Sequence, residues 1–214
     1  MAHPSEIGFV FASFARLITA VALVAIGATA VAAQPAFQPG RGISMDQWVT
    51  WPAADTWSDP VVYRAFPEWM NVINDDDLAA LSRAGIDTIR LPIEPAFLLY
   101  DWDNAERLGV VLAQTKIAMD RLLAEGFKII VDLHTIERNA EIALSDTKAI
   151  EGVDEVFAQY LEMLAVIAAA LRHYDPQTVA LEIFNEPTLD CTQGAQQALW
   201  ASMLRDMHGA ARKA

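Results

Sequence analysis

Short apolar runs alternate with helix-like segments along this chain, and this alternation limits its fold more than any other feature. The apolar runs that are predicted as strands are Gly42–Met45, Asp87–Ile93, Phe127–His134 and Val179–Pro187. The segments whose apolar residues recur with helical spacing cover about 75–84, 105–125, 154–173 and 192–212. A strand-then-helix order repeated four times indicates a parallel sheet with right-handed crossovers.

The residues at the element ends narrow the choice among parallel folds. Asn74 precedes three aspartates and favours a helix start, because its side chain accepts backbone amides and carboxylates stabilise the positive end of a helix. Gly85 and Gly126 end the first two helices directly before a strand, whereas the strands end in polar residues before longer loops. No glycine-rich phosphate loop follows any strand, which argues against a nucleotide-binding doubly wound sheet. We therefore predict an α/β fold of the (β/α)8 TIM-barrel type, present as an incomplete barrel of about four strand–helix units.

The first 33 residues differ in character from the rest of the chain. Residues 17–33 form a run rich in Ala, Val, Leu and Ile that follows Arg16 and ends in the small residues of segment 30–33. This length and this ending are typical of a signal peptide, with an uncleaved amino-terminal anchor as the alternative. We therefore expect residues 34–214 to form the folded domain and to be exported, either secreted or periplasmic.

Charge and cysteine content argue against several classes of function. The net charge of −13 disfavours nucleic acid as a partner, because its phosphates require a basic surface, and disfavours anionic membrane surfaces. The single cysteine, Cys191, excludes an internal disulfide and a cysteine-based zinc cluster. We interpret Cys191 as a small loop residue rather than a nucleophile, since no histidine motif lies beside it. No cofactor is predicted.

Polar side chains gather near the ends of the last three predicted strands. Arg90 lies in the second strand, His134 ends the third, and Asn185 and Glu186 lie near the end of the fourth. Alternate strand residues share a face, so Arg90, His134 and Glu186 are expected to converge at the carboxyl edge, with Asn185 beside them. Glu186 is interpreted as a general acid/base, because a buried strand seldom ends in an acid without a role. The alternative is a carboxylate that caps the next helix.

The other polar residues also have structural interpretations. If Arg90 has a structural role, it neutralises an interior carboxylate, either Asp132 or Glu182. Glu182 lies deeper in its strand and is interpreted as a structural acid. His134 would then be a hydrogen-bonded structural imidazole. A metal-dependent hydrolase with Asp132 and His134 as ligands is a further alternative, which the absence of a His-x-His pair disfavours, so no metal site is predicted.

The connection after the first strand, about 46–74, is rich in tryptophan. Four of the six tryptophans of the chain lie in it, namely Trp48, Trp51, Trp57 and Trp69. Trp48, Trp51 and Trp57 are candidate platforms for sugar rings, because exposed indole faces stack on the apolar faces of sugars. The alternative is a local hydrophobic cluster that packs the connection onto the domain.

The four strands together resemble those of glycoside hydrolase family 5, the cellulase family, over about residues 40–212. The similar motifs are Arg41-Gly42-Ile43, Ile89-Arg90-Leu91-Pro92, Val131-Asp132-Leu133-His134 and Leu181-Glu182-Ile183-Phe184-Asn185-Glu186-Pro187. The resemblance implies a retaining glycosidase that hydrolyses O-glycosidic bonds of a β-linked polysaccharide or oligosaccharide. It implies that Glu186 is the acid/base and that Asn185 contacts a sugar hydroxyl. It also implies that His134 lines the sugar site and that Arg90 supports the catalytic carboxylates.

The chain also departs from that family. The resemblance places the nucleophile near the end of a seventh strand, and no glutamate of this chain has a matching position. Because a complete barrel needs about 250 residues, we expect residues 34–214 to be the amino-terminal half of a catalytic barrel, inactive alone and prone to self-association. The segment Thr135–Asn139 differs from the family pattern, which leaves glucan, mannan and other β-glycosides open as substrates. A non-catalytic carbohydrate-binding module or a pseudoenzyme is the alternative function.

Overall fold

Strands and helices alternate along the part of the chain that is described. The computed structural model describes residues 36–46, 48–49, 57–59, 70–99, 101–134, 154–187, 190 and 192–214. The strands are β1 (Gly42–Ser44), β2 (Thr88–Ile93), β3 (Lys128–Leu133) and β4 (Val179–Glu182). The helices are α1 (Asp75–Arg83), α2 (Pro95–Leu99), α3 (Ala105–Ala124), α4 (Asp154–Leu171) and α5 (Gly194–Lys213), with a 3₁₀ turn at Met70–Val72. The predicted export segment 1–33, Trp51, Trp69 and Cys191 lie outside the described residues.

The strands form one sheet in which every neighbouring pair is parallel. Their order is β1-β2-β3-β4, so consecutive strands along the chain are also neighbours in space. Helices connect them, and the predicted alternation of parallel strands and helices is confirmed. Among the helices of the described residues, none has the length and apolar character of a membrane span.

The odd-numbered and even-numbered strand residues occupy opposite faces of the sheet. The odd-numbered side chains of the two central strands pack into the hydrophobic core and are almost fully buried: Ile89, Leu91, Ile93, Ile129, Val131 and Leu133. Helices contribute the other side of this core, including Leu78, Met119, Leu122, Tyr160 and Leu164. The opposite, even-numbered face carries polar side chains, so the sequence alternation separates an apolar face from a face that can hold a polar site.

Helix α1 begins and ends as its sequence predicts. The side chain of Asn74 accepts the amide of Asp77 at 3.1 Å, and the carboxylate of Asp77 accepts the amide of Asn74 at 3.0 Å. This reciprocal pair is a capping box and satisfies amides that the first turn leaves unpaired. Gly85 follows the helix with a φ of 82°, a conformation that glycine adopts without steric cost. Helix α2 was not predicted, because its five residues are too few to show a helical period.

Strand β4 is shorter than predicted. It ends at Glu182, so the expectation of a strand that continues to Pro187 is wrong. Its ladder with β3 ends at the pair Asp132 and Glu182. The next carbonyl, that of Ile183, accepts a hydrogen bond from the hydroxyl of Tyr160 at 2.7 Å instead of from a strand amide. The chain therefore leaves the sheet five residues before the proline that was expected to stop it.

Trp48 and Trp57 are core residues. Their relative exposures are 2% and 0%, which leaves no indole face on which a sugar ring can stack. The ring of Trp57 contacts Phe97 edge-on at 5.6 Å between centroids, and the guanidinium of Arg121 lies 5.4 Å from the centroid of Trp48. The structure therefore corrects the platform interpretation for these two residues, and the alternative of a hydrophobic cluster applies to them.

Two arginines of α3 hold the connection between β1 and α1. Arg107 donates from Nη2 to the carbonyl of Trp57 at 2.6 Å and from Nη1 to the carbonyl of Phe97 at 3.3 Å. Arg121 donates from Nη2 to the carbonyl of Ile73 at 2.7 Å and to the carboxylate of Asp75 at 2.8 Å. Helix α3 thus fixes this connection at two separate points.

We expect Arg107→Ala to lower the free energy of unfolding by about 2 to 4 kcal/mol, because it removes the buried hydrogen bonds that the carbonyls of Trp57 and Phe97 accept from Arg107. Arg107 is only 3% exposed, so water cannot easily replace its guanidinium. The measurement is urea-induced unfolding. The matched control is Arg205→Ala on the exposed face of α5, which should change the free energy by less than about 0.5 kcal/mol. Equal effects of the two substitutions would contradict the anchoring role of Arg107.

Candidate active site

The guanidinium of Arg90 is the centre of a polar cluster on the even-numbered face of the sheet. Arg90 binds Glu182 through two parallel hydrogen bonds, Nε to Oε2 at 2.8 Å and Nη2 to Oε1 at 2.7 Å. Its Nη1 lies 3.0 Å from Oδ2 of Asp132, and its Nη2 also donates to Oδ1 of Asn185 at 2.7 Å. Hydrogen bonding to Glu182 and the nearby carboxylate charges raise the pKa of Arg90, so it is a permanent cation.

Strand register explains why these groups meet. Asp132 of β3 lies directly opposite Glu182 of β4 and opposite Pro92 of β2. Arg90 lies two residues before Pro92 on the same strand and so on the same face. Its side chain is long enough to reach upward to both carboxylates. The carboxyl edge of the sheet therefore collects one cation and two anions on three neighbouring strands.

The contacts of Asn185 fix the tautomer of His134. Arg90 can only donate, so the oxygen of the Asn185 amide faces it and the amide nitrogen faces His134. Nδ2 of Asn185 lies 3.4 Å from Nε2 of His134, which makes Nε2 the accepting nitrogen; Nη1 of Arg90 lies 3.3 Å from Nδ1, farther than the carboxylate of Asp132. The proton of the neutral imidazole is then on Nδ1, which donates to Oδ2 of Asp132 at 2.8 Å. His134 and Asn185 are thus oriented by the same arginine–carboxylate cluster.

Asp132 is the buried acid of the cluster. Its side chain is 0% exposed, whereas that of Arg90 is 27% exposed. Burial raises the pKa of Asp132 from 3.8 to about 6 and outweighs the opposing hydrogen bond from His134 and the charge of Arg90. The negative charge of Glu182 acts in the same direction as burial. Oδ1 of Asp132 is buried without a hydrogen-bond partner among the described residues, which adds to the cost of ionising this carboxyl.

The three predicted site residues Arg90, His134 and Asn185 are brought together, whereas Glu186 lies beside them without joining their hydrogen bonds. Glu186 is exposed, and its carboxylate makes no hydrogen bond or ion pair within the described part of the chain. Its φ is 43°, in the left-handed region that glutamate seldom adopts. Such a conformation costs of order 1–3 kcal/mol and persists only where the surroundings determine it, often at functional sites. The expectation that a strand holds Glu186 is corrected: Glu186 lies in the irregular segment that follows β4.

Asp132 and Glu182 have the structural role that the sequence suggested for them. Glu182 was interpreted as a structural acid, and the structure pairs it with Arg90, as the structural interpretation of Arg90 had suggested. The spacing of two between Glu182 and Phe184, and between Asp132 and His134, was the available signal. In the described ranges, no group of three or more His, Cys, Asp or Glu side chains has an arrangement that could hold a metal ion.

Comparison with known families agrees with this geometry. The family described as cellulase (glycosyl hydrolase family 5) matches residues 44–214. The chain belongs to glycosyl hydrolase family 5. None of the curated protein sequences compared with the chain matches it.

Solved structures of this family share the fold. PbGH5A from Prevotella bryantii B14, a glycoside hydrolase family 5 enzyme, is 18% identical with a TM-score of 0.60 over 80% of this chain and 50% of that one. A GH5-4 broad specificity endoglucanase from Clostridium longisporum is 17% identical with a TM-score of 0.61 over 82% and 50%. A hyperthermophilic endo-β-1,4-glucanase solved with substrate is 21% identical with a TM-score of 0.55 over 81% and 47%. The chain spans about half the length of these structures, and the predicted barrel-type fold is confirmed for its four strand–helix units.

We expect Asp132→Asn to remove a pH dependence of stability. Because the folded pKa of Asp132 is about 6 and its ordinary value is 3.8, the stability that this carboxyl contributes is present below about pH 4 and is lost as the pH rises through about 6. The free energy of unfolding of the natural protein should therefore fall relative to Asp132→Asn by about 1 to 3 kcal/mol between pH 4 and pH 7. Urea unfolding at several pH values measures this difference.

The exposed Asp206 of α5 provides the control for this experiment. Asp206→Asn should follow the pH profile of the natural protein. A difference between the natural protein and Asp132→Asn that stays constant from pH 4 to pH 7 would contradict the raised pKa.

Proposed function

We propose that this chain forms the sugar-binding and acid/base side of a retaining β-glycosidase site. Glu186 is the acid/base, Asn185 donates to a sugar hydroxyl, and His134 and Arg90 line and support the site. The observation that carries the proposal is the shared contact set of Arg90, His134 and Asn185 at the carboxyl edge of a parallel sheet, next to a strained glutamate. Function in barrels of this type gathers at that edge.

The charges of the cluster favour Glu186 over its neighbours as the reacting carboxyl. Glu182 holds Arg90 in a bidentate pair, and Asp132 forms an ion pair with Arg90 and accepts a hydrogen bond from His134. Each of these carboxylates would have to break ion pairs before it reacted. Glu186 is exposed on the same edge and keeps its oxygens for a ligand. Its role as acid is to protonate the leaving glycosidic oxygen, after which it activates water as base.

The ligand class proposed is a β-linked glucan or a related oligosaccharide. The amide of Asn185 carries two hydrogens, of which one contacts Nε2 of His134, so the second is the donor assigned to a sugar hydroxyl. A neutral polymer is compatible with a chain of net charge −13. A mutant of PbGH5A has been solved with a xyloglucan tetradecasaccharide, which supports oligosaccharides of this type as the first ligands to test.

Binding of cellotetraose and of xyloglucan oligosaccharides to the purified chain, measured by calorimetry, tests the sugar-binding part. Asn185→Ala should weaken binding about tenfold or more, because it removes the proposed donor and the contacts that orient His134. Glu186→Gln, which keeps the side-chain shape, should bind within about threefold of the natural protein. Lys116→Ala on the exposed face of α3 is the control and should change nothing. Absence of binding by the natural protein would overturn the proposal.

An epoxyalkyl β-cellobioside tests the assignment of Glu186 in the same preparation without requiring turnover. A carboxylate oxygen attacks an epoxide carbon, the ring C–O bond opens, and the new alkoxide takes a proton from water, which leaves an ester on the enzyme. Peptide mass spectrometry should find the adduct on Glu186 and should find that excess cellotetraose prevents it. Adducts that excess sugar does not prevent, or that lie on other carboxylates, would contradict the acid/base role.

We also propose that the chain is exported through its first 33 residues. The support is the apolar, small-residue run 17–33 of the sequence. Expression in bacteria followed by sequencing of the mature amino terminus is the test, and a new terminus near residue 34 in the periplasmic fraction is expected. Intact Met1 on protein from the cytoplasmic fraction would refute export.

A further inference from the structure

A tyrosine of α4 holds the backbone just beyond β4. Tyr160 is fully buried, and its hydroxyl donates to the carbonyl of Ile183 at 2.7 Å. Ile183 is the first residue after the strand, so its carbonyl lies beyond the ladder that joins β4 to β3. Burial raises the pKa of Tyr160, so its hydroxyl stays protonated and remains a donor at every pH of interest.

The residue after Ile183 is fixed by ring contacts. The ring of Phe184 lies edge-on to that of Tyr160 at 5.8 Å and to that of Trp200 on α5 at 5.3 Å between centroids. Edge-to-face pairs at these separations are attractive and favour defined ring orientations. The backbone at Phe184 is therefore tied to two helices at once.

The next two residues are those of the candidate site. Asn185 accepts from Arg90 at 2.7 Å, and Glu186 follows with its positive φ of 43°. The segment 183–186 is thus attached to α4 and α5 through Tyr160 and Phe184, and to the sheet through Asn185. A glutamate with positive φ keeps that conformation only while both sides hold the chain.

We propose that Tyr160 is a positioning residue for the candidate site. Its hydroxyl fixes the carbonyl of Ile183 and thereby sets where the amide of Asn185 and the carboxylate of Glu186 stand. An effect of Tyr160 on catalysis rests on the proposed function. Its effect on the position of Asn185 can be measured without sugar.

The variant that isolates the hydroxyl is Tyr160→Phe, because it keeps the ring that contacts Phe184. Its matched control is Tyr174→Phe. Tyr174 follows the end of α4, and its hydroxyl donates to the exposed Asp120 of α3. Tyr160→Phe should weaken binding of cellotetraose about fivefold and lower the labelling of Glu186 by the epoxide about fivefold. Tyr174→Phe should leave both within about 1.5-fold.

A second readout does not depend on sugar. One hydrogen of the Asn185 side-chain amide contacts Nε2 of His134, so we expect exchange of that hydrogen with water to be slowed. Nuclear magnetic resonance should show that this exchange is about fivefold faster in Tyr160→Phe and unchanged in Tyr174→Phe. Exchange that matches the natural protein, together with a lower melting temperature, would mean that Tyr160 only stabilises the fold and would overturn the proposal.

The two readouts separate this inference from the proposed function. If the natural protein binds no sugar but Tyr160→Phe accelerates exchange of the Asn185 amide, the proposed function fails and the positioning role stands. Phe184→Leu covers the case in which Tyr160→Phe does not fold, because it removes both ring contacts but keeps an apolar side chain. It should accelerate the same exchange, and an unchanged rate in a folded Phe184→Leu would also overturn the proposal.

Discussion

The pairing of one guanidinium with two carboxylates on neighbouring strands is the constraint on which this site depends. Asp132 and Glu182 face the same side of the sheet in direct register, and without a cation their charges would repel at short range. Arg90 of β2 supplies that cation, and its Nη2, which donates to Glu182, also donates to Asn185 and orients it. Removal of Arg90 would leave the fully buried Asp132 and the half-buried Glu182 without their shared cation.

The sequence predicted the elements that depend on local contacts. The capping box at Asn74 and the positive φ of Gly85 lie within a few residues of the helix they bound, so their signals are visible in the sequence. The convergence of Arg90 and His134 also followed from the period of two in parallel strands. Residue spacing along each strand was sufficient for these conclusions.

Long-range contacts decided the features that the sequence did not predict. The end of β4 depends on a hydroxyl 23 residues away from Ile183, and the burial of Trp57 depends on an arginine 50 residues away. Local composition cannot distinguish a tryptophan that is held inward by such a partner from one that faces solvent. The conformation of Glu186 is a similar case, because glutamate has no intrinsic preference for a positive φ. The conformation of segment 183–186 depends on Tyr160 of α4 and on Arg90 of the sheet.

The two anchors on α3 have a consequence for the diversification of this chain. Arg107 holds the connection between β1 and α1 at Trp57, and Arg121 holds it again at Ile73. Surface connections whose two ends are fixed tolerate changes of sequence and length, because their ends keep their positions on the rest of the domain. A change of sequence in this connection would therefore leave its two attachment points on α3 in place.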